Sequence, residues 1–127
     1  MGETEAPRLI SIEEGYARFA PTGFFTHLSL VSRLELAMIE CQRQGQTRLL
    51  ADVRAIEHPP LSGVDRYELG HGLAEAWDRS ILLAMVVRTD QLDPERFGQK
   101  VATNRGLFVQ PFTDDASARD WLTRPRP

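Results

Sequence analysis

The sequence predicts an α/β fold: a mixed five-stranded sheet, made of an N-terminal hairpin plus parallel strands, with about four helices. Three observations point there. Apolar runs bounded by turn residues alternate with stretches whose apolar residues step by three or four. The run "SILLAMVV" at 80–87 is continuously apolar rather than alternating, as in a parallel strand covered on both faces. A strand–turn–strand pattern precedes the first helix, so one antiparallel pair joins a sheet that is otherwise parallel.

Residues 8–12 and 16–20 read as the hairpin, with Glu13, Glu14 and Gly15 turning between them. Pro21, Thr22 and Gly23 close it. The period changes over 25–44, where Leu28, Val31, Leu34, Met38 and Cys41 fall on one face of a helix. Leu30, Leu36 and Ile39 widen that stripe, which predicts cover on more than one side. Gly45 stands where a helix ends. "TRLLADV" at 47–53 is a buried strand, and the loop 54–60 ends in two prolines that continue neither ladder nor helix. The second helix covers 62–77, with Val64, Leu69, Leu73 and Trp77 along one side. Gly70 and Gly72 inside it cost about 1 kcal/mol each against Ala, tolerable where the backbone packs close to the sheet.

After the strand at 80–87, Asp93-Pro94 opens a third helix over 94–105, with Phe97 and Val101 inward and Gly106 at its end. "LFVQPF" at 107–112 is the last strand, and Pro111 marks an edge or a terminus. Thr113, Asp114 and Asp115 start a short final helix carrying Ala118, Trp121 and Leu122. The expected sheet core is Leu49, Leu50, Val53, Leu82, Ala84, Val86 and Phe108.

The chain of 127 residues suits a single domain, 1–127, with short frayed ends at about 1–7 and 123–127. Hydrophobic residues at 42% and charged residues at 26% exclude a disordered composition. A net charge of -3 supplies no overall attraction to nucleic acid or to an anionic membrane. Cys41 is the only cysteine, which excludes an internal disulfide and a cysteine-cluster metal site and fits a reducing compartment. The start, "MGETEAPR", is acidic and precedes no long apolar core, so no secretory leader is expected. The apolar run at 81–87 is too short to span a bilayer, and the expected location is the cytoplasm.

Few residues form a pattern that carries chemistry. Phosphate loops of the GxxxxGK[ST] or GxGxxG kind are missing, as is HExxH, and no cofactor or metal is expected. Glu68 and His71 stand three apart on one helix, the spacing of a single ligand pair or of ordinary boundary residues. A Ser62–His71–Asp52 triad lacks the GxSxG elbow that would expose its nucleophile. Asp52 lies near the C-terminal end of a strand, where parallel sheets place function, or where a carboxylate satisfies loop N–H groups. Phe24 and Phe25 form either an apolar patch or a staple at the helix start. Arg96, Lys100 and Arg105 are a modest basic set on a solvated face. Ser62 is the best cap for the second helix, accepting from the N–H of Val64 or Asp65, while Asp65 adds negative charge to the first turn. A helix N-terminus also receives a phosphate well, so a phosphorylated switch at Ser62 stays open beside the plain cap.

The stretch "RLLADVRAIEHPPLSGVDRYELGHGLAEAW" resembles the STAS domain family, and more closely its SpoIIAA-like branch. "DPERFGQKVATNRGLFVQPFTDDASARDWL" is similar to that branch's ending, the match being carried by Asn104, Arg105, Gly106, Phe112, Ala118, Trp121 and Leu122. The likeness runs from about residue 8 to 122. In anti-sigma factor antagonists of this family, the second serine of an Asp-Ser-Ser-Gly motif opens a helix and is phosphorylated by a partner kinase. That serine would fall on Ser62 with Gly63 behind it, although Pro60 and Leu61 stand where the motif has Asp and Ser. Asp52 would correspond to the strand aspartate before the motif. SpoIIAA-like relatives are also similar to lipid-carrier folds. The resemblance implies neither a catalytic residue nor a cofactor.

The leading expectation is a non-enzymatic, bacterial-type regulatory domain that meets a signalling or kinase-like protein through Ser62, Gly63, Asp52 and Asp65. The alternative is a carrier or sensor of a small apolar, lipid-like molecule in a pocket of Phe24, Phe25, Leu28 and Trp77. A hydrolase using Ser62 is the third class. A homodimer through the hairpin edge is an open expectation, whereas nucleic acid and a membrane span are not expected.

Overall fold

A computed structural model describes residues 9–76, 80–91 and 109–125. Strands β1 (Ser11–Ile12) and β2 (Ala17–Phe19) pair antiparallel. Gly15 turns the chain between them at φ 87°, a left-handed value that a side chain disfavours. β3 (Gly23–Phe24) leads into helix α1 (His27–Arg43), then β4 (Arg48–Asp52), β5 (Ile56–Glu57) and helix α2 (Gly63–Ala76). β6 (Leu82–Val86), a 3-10 turn at Thr89–Gln91, β7 (Val109–Phe112) and helix α3 (Asp115–Thr123) follow. The five-stranded sheet has the order β1-β2-β4-β6-β7, and every pair beyond the hairpin is parallel. The mixed sheet expected from the sequence is therefore present. Three α-helices are seen among the described residues, and the helix expected at 94–105 lies outside them, as do Trp77 and Phe108.

β4 sits in the middle, and Leu49, Leu50 and Ala51 are each 0% exposed. Alternation sends Leu49 and Ala51 to the face where Leu34, Met38, Cys41 and Leu73 of α1 and α2 gather. Leu50 points the other way, to Tyr16, Ala84, Val86, Ala118 and Leu122 beneath α3. Leu49, Leu50, Val53, Ala84 and Val86 are buried as expected, while Leu82 is only half-buried. Pro111 lies on β7, an edge strand, where a missing N–H costs least.

α1 starts on a reciprocal cap: the Ser29 N–H donates to the Thr26 hydroxyl at 3.0 Å, and the Thr26 N–H donates to the Ser29 hydroxyl at 2.9 Å. Phe25 before the cap and Leu30 beyond it are both buried in one core, which is the staple reading of Phe25. Gly45 ends the helix at φ 70°. Burial pushes the Cys41 thiol up to about 11, as befits a core residue. α3 is capped by Asp114, whose carboxylate accepts from the Ser117 N–H at 2.7 Å, and it stays helical through Thr123.

The structure differs from expectation on the flanks of α1. Leu28, Leu36 and Ile39 are 55%, 52% and 47% exposed. The sheet and α2 bury the Leu30, Leu34, Ala37, Met38 and Cys41 stripe, and no element among the described residues forms a layer over the residues beside it. Gly72 is packed closely, but against α1 rather than the sheet: a Cβ there would meet both methyls of Val31 at 3.3 Å. The β3–β5 ribbon, parallel and separate from the main sheet, was not expected from residues read as a turn and a loop.

The contrast along α1 is testable by urea unfolding. Leu34→Ala is expected to destabilise by about 2–5 kcal/mol through the cavity it leaves, and Leu28→Ala by within about 0.5 kcal/mol.

Candidate functional site

Pro59 and Pro60 carry no N–H and hold the chain out of helix until Leu61. Ser62 then caps α2. Its hydroxyl accepts from the Asp65 N–H at 3.1 Å, and the Asp65 carboxylate accepts from the Ser62 N–H at 2.9 Å. That backbone bond, then the Ser62 hydroxyl and the charge of His27, hold the Asp65 carboxyl below the usual carboxylate range. Ser62 and Gly63 are both exposed.

His27, the first residue of α1, reaches across to this cap. Its Nδ1 lies 3.9 Å from Asp65 and its Nε2 3.3 Å from Glu68. The imidazole is only 15% exposed, so it holds two helix starts together in a partly dry setting. Outward from the cap, Val64 is 66% exposed and Tyr67 42%. The Tyr67 ring stacks on His71 at 6.0 Å, and His71 faces Glu75 at 3.6 Å. Glu68 and His71 thus turn to different neighbours instead of forming a ligand pair.

Between the two helix starts, over the C-terminal ends of β4 and β6, lies a cleft of about 80 Å³. Phe25, Leu30, Val53, Ile56 and Val87 give it an apolar floor, with His27, His58 and Gln91 at the rim. The 3-10 turn seals one side. The Arg88 guanidinium donates to the Arg54 carbonyl and, at 3.0 Å, to the Ile56 carbonyl, while the Gln91 amide donates to the Val53 carbonyl at 3.0 Å. The four residues expected to line an apolar pocket do not come together. Phe25 lines this cleft, Phe24 is 65% exposed, Leu28 points to solvent, and Trp77 lies outside the described residues.

Asp52 is not part of the Ser62 cluster. It shares the Leu50 side of β4, facing α3, whereas α2 packs on the other side. Its carboxylate accepts from the Arg54 N–H at 3.1 Å and from the Arg54 guanidinium at 3.0 and 2.9 Å. Arg18 stands 3.8 Å away and donates to Asp115 of α3 at 2.7 Å. The Ser62–His71–Asp52 triad is therefore not assembled. No sequence signal announces the His27 clasp, because its partner Glu68 is 41 positions away and only helix packing brings them together.

The Arg54 guanidinium, then its N–H and the charge of Arg18, hold the Asp52 carboxyl below its ordinary range. A folded-state pKa below the unfolded one gives stability that is present above the unfolded value and lost as pH falls through the folded value. Asp52→Asn is thus expected to lower stability at pH ~7 and to shrink the loss between pH ~7 and ~3, measured by thermal melts across that range.

No family model and no curated protein matches the chain. Among solved structures, the chain is similar to a DUF3478-family protein from Shewanella loihica PV-4, which is described as having a SpoIIAA-like fold. The likeness covers 89% of each chain at 20% identity with a TM-score of 0.50, so it speaks for fold. No helix among the described residues is long and apolar enough to cross a membrane. With the parallel order β2-β4-β6-β7, the antiparallel β1 at its edge and helices on both faces, this chain has a SpoIIAA-like fold.

Proposed function

We propose that the domain is a non-enzymatic cytoplasmic regulator that docks a signalling protein over the start of α2. The observation that carries this reading is the exposure of Val64 and Tyr67, at 66% and 42%, directly beside an exposed, capped Ser62. Apolar side chains left in water around a rigid polar centre suit a protein interface better than a solvated helix face. The cap also supports a switch. A phosphate on Ser62 would enjoy the helix N-terminus but stand against the Asp65 carboxylate, which accepts from the Ser62 N–H at 2.9 Å. Modification would break the reciprocal cap and turn the docking surface over to a doubly charged group.

At the cleft between the two helix starts the carrier reading is weaker on size. A cleft of about 80 Å³ holds a few waters, whereas drug-sized ligands occupy roughly 300–1,000 Å³.

Native mass spectrometry of the protein isolated from its own cells tests the choice. The expected spectrum contains a discrete protein complex that disappears in the Val64→Asp, Tyr67→Ser double variant. A bound lipid mass without any protein partner would establish the carrier instead. Ser62→Ala is expected to cost about 1 kcal/mol of stability through the lost cap, read in urea unfolding, and to abolish any phosphate mass on the intact chain.

A further inference from the structure

A second exposed apolar surface lies far from Ser62 on the chain. A groove of about 620 Å³ opens between the edge strand β1 and the outer side of α1. Leu9, Ile10 and Ile12 form one wall, Leu36 and Ile39 the other. Ile12, Leu36 and Ile39 are 46%, 52% and 47% exposed, so three large apolar side chains converge on one hollow. A row of this kind beside an edge strand is what monomers usually cover or break up with charge.

We infer that the groove pairs with a second copy of this chain, β1 against β1, across a two-fold axis. Two features select that occupant. β1 is terminal in the sheet order, so among the described residues no strand lies on one side of its backbone. An antiparallel neighbour is the partner such an edge accepts. The second feature is charge. α1 crosses from β2 back to the parallel β4, so it runs against β2 and therefore along β1. Leu9 accordingly shares a hollow with Arg33, while Ile12 shares its groove with Arg43, ten residues further along the helix. In an antiparallel β1–β1 pairing, the Glu13-Glu14 turn of one copy arrives at the Leu9 end of the other. Arg33, exposed, stands there, and Glu14 is exposed to meet it. A two-fold contact repeats this pair twice around a shared apolar centre, and an isologous interface must be self-complementary in this way. The same surface leaves the Ser62 end of the sheet open in both copies.

Analytical ultracentrifugation over a concentration series tests the pairing on the full chain. The wild type is expected to show a reversible dimer. Ile39→Asp, at a surface position, is expected to give a monomer with an unchanged far-ultraviolet circular dichroism spectrum. Arg33→Glu should weaken the dimer about tenfold, and adding Glu14→Arg should restore it. This swap removes no apolar group, so it reads the contact independently of folding. A monomer at every concentration, or a dimer that survives Ile39→Asp, overturns the inference. A dimer that ignores the charge swap does so as well. A monomer whose Ile12 and Ile39 amide resonances shift with an apolar strand peptide would put a foreign strand in the groove and equally overturn it. Loss of the partner complex expected for Val64→Asp, Tyr67→Ser is read on a different face, so either result can fail alone.

Discussion

Burial of β4 on both faces is the constraint from which the rest of the molecule follows. Leu49, Leu50 and Ala51 are consecutive and all fully buried, so helices must lie above and below them. Loss of the α1–α2 layer would expose Leu49, and loss of the α3 layer Leu50, each forfeiting about 1.5–3 kcal/mol. Both layers are supplied by short-range chain logic. α1 and α2 cross over between parallel neighbours on one face, and α3 returns beneath β4 and β6 on the other. The C-terminal ends of these strands are then left at a rim that only loops and helix starts can occupy.

What stands at that rim is decided by one close helix contact. Gly72 has no side chain where a Cβ would press on Val31 at 3.3 Å, and α1 and α2 approach accordingly. The approach brings His27 within 3.3 Å of Glu68 and aligns the two capped starts. Local capping therefore gains a tertiary role: each box orders its own first turn, and His27 ties the boxes together. The cleft below them stays narrow because Arg88 and Gln91 fasten the 3-10 turn onto the β4–β5 loop through backbone carbonyls.

The two faces of the sheet carry different electrostatics. Near α3, Arg18 and Arg54 neutralise Asp52 and Asp115 in a compact ionic group that links β2, β4 and α3. Such a group, partly buried, ties the three elements together through paired charges. Near α2, Asp65 and Glu68 share one imidazole beside exposed apolar surface. The docking reading belongs to the second face for that reason.

Periodicity along the chain determined the hairpin, the parallel strands, both long helices and the capping role of Ser62, because each depends on contacts between residues three, four or a few positions apart. The likeness of "RLLADVRAIEHPPLSG" to the SpoIIAA-like branch pointed to the same fold that the structure has. Four things were settled only by tertiary packing. Asp52 went to the opposite face from Ser62, since strand alternation is read relative to layers that the sequence does not label. Leu28, Leu36 and Ile39 were left in water, since an apolar stripe wider than its cover must expose its margins. The β3–β5 ribbon and the His27 clasp arose from segments more than thirty positions apart, brought together by a sheet whose crossovers no local pattern encodes.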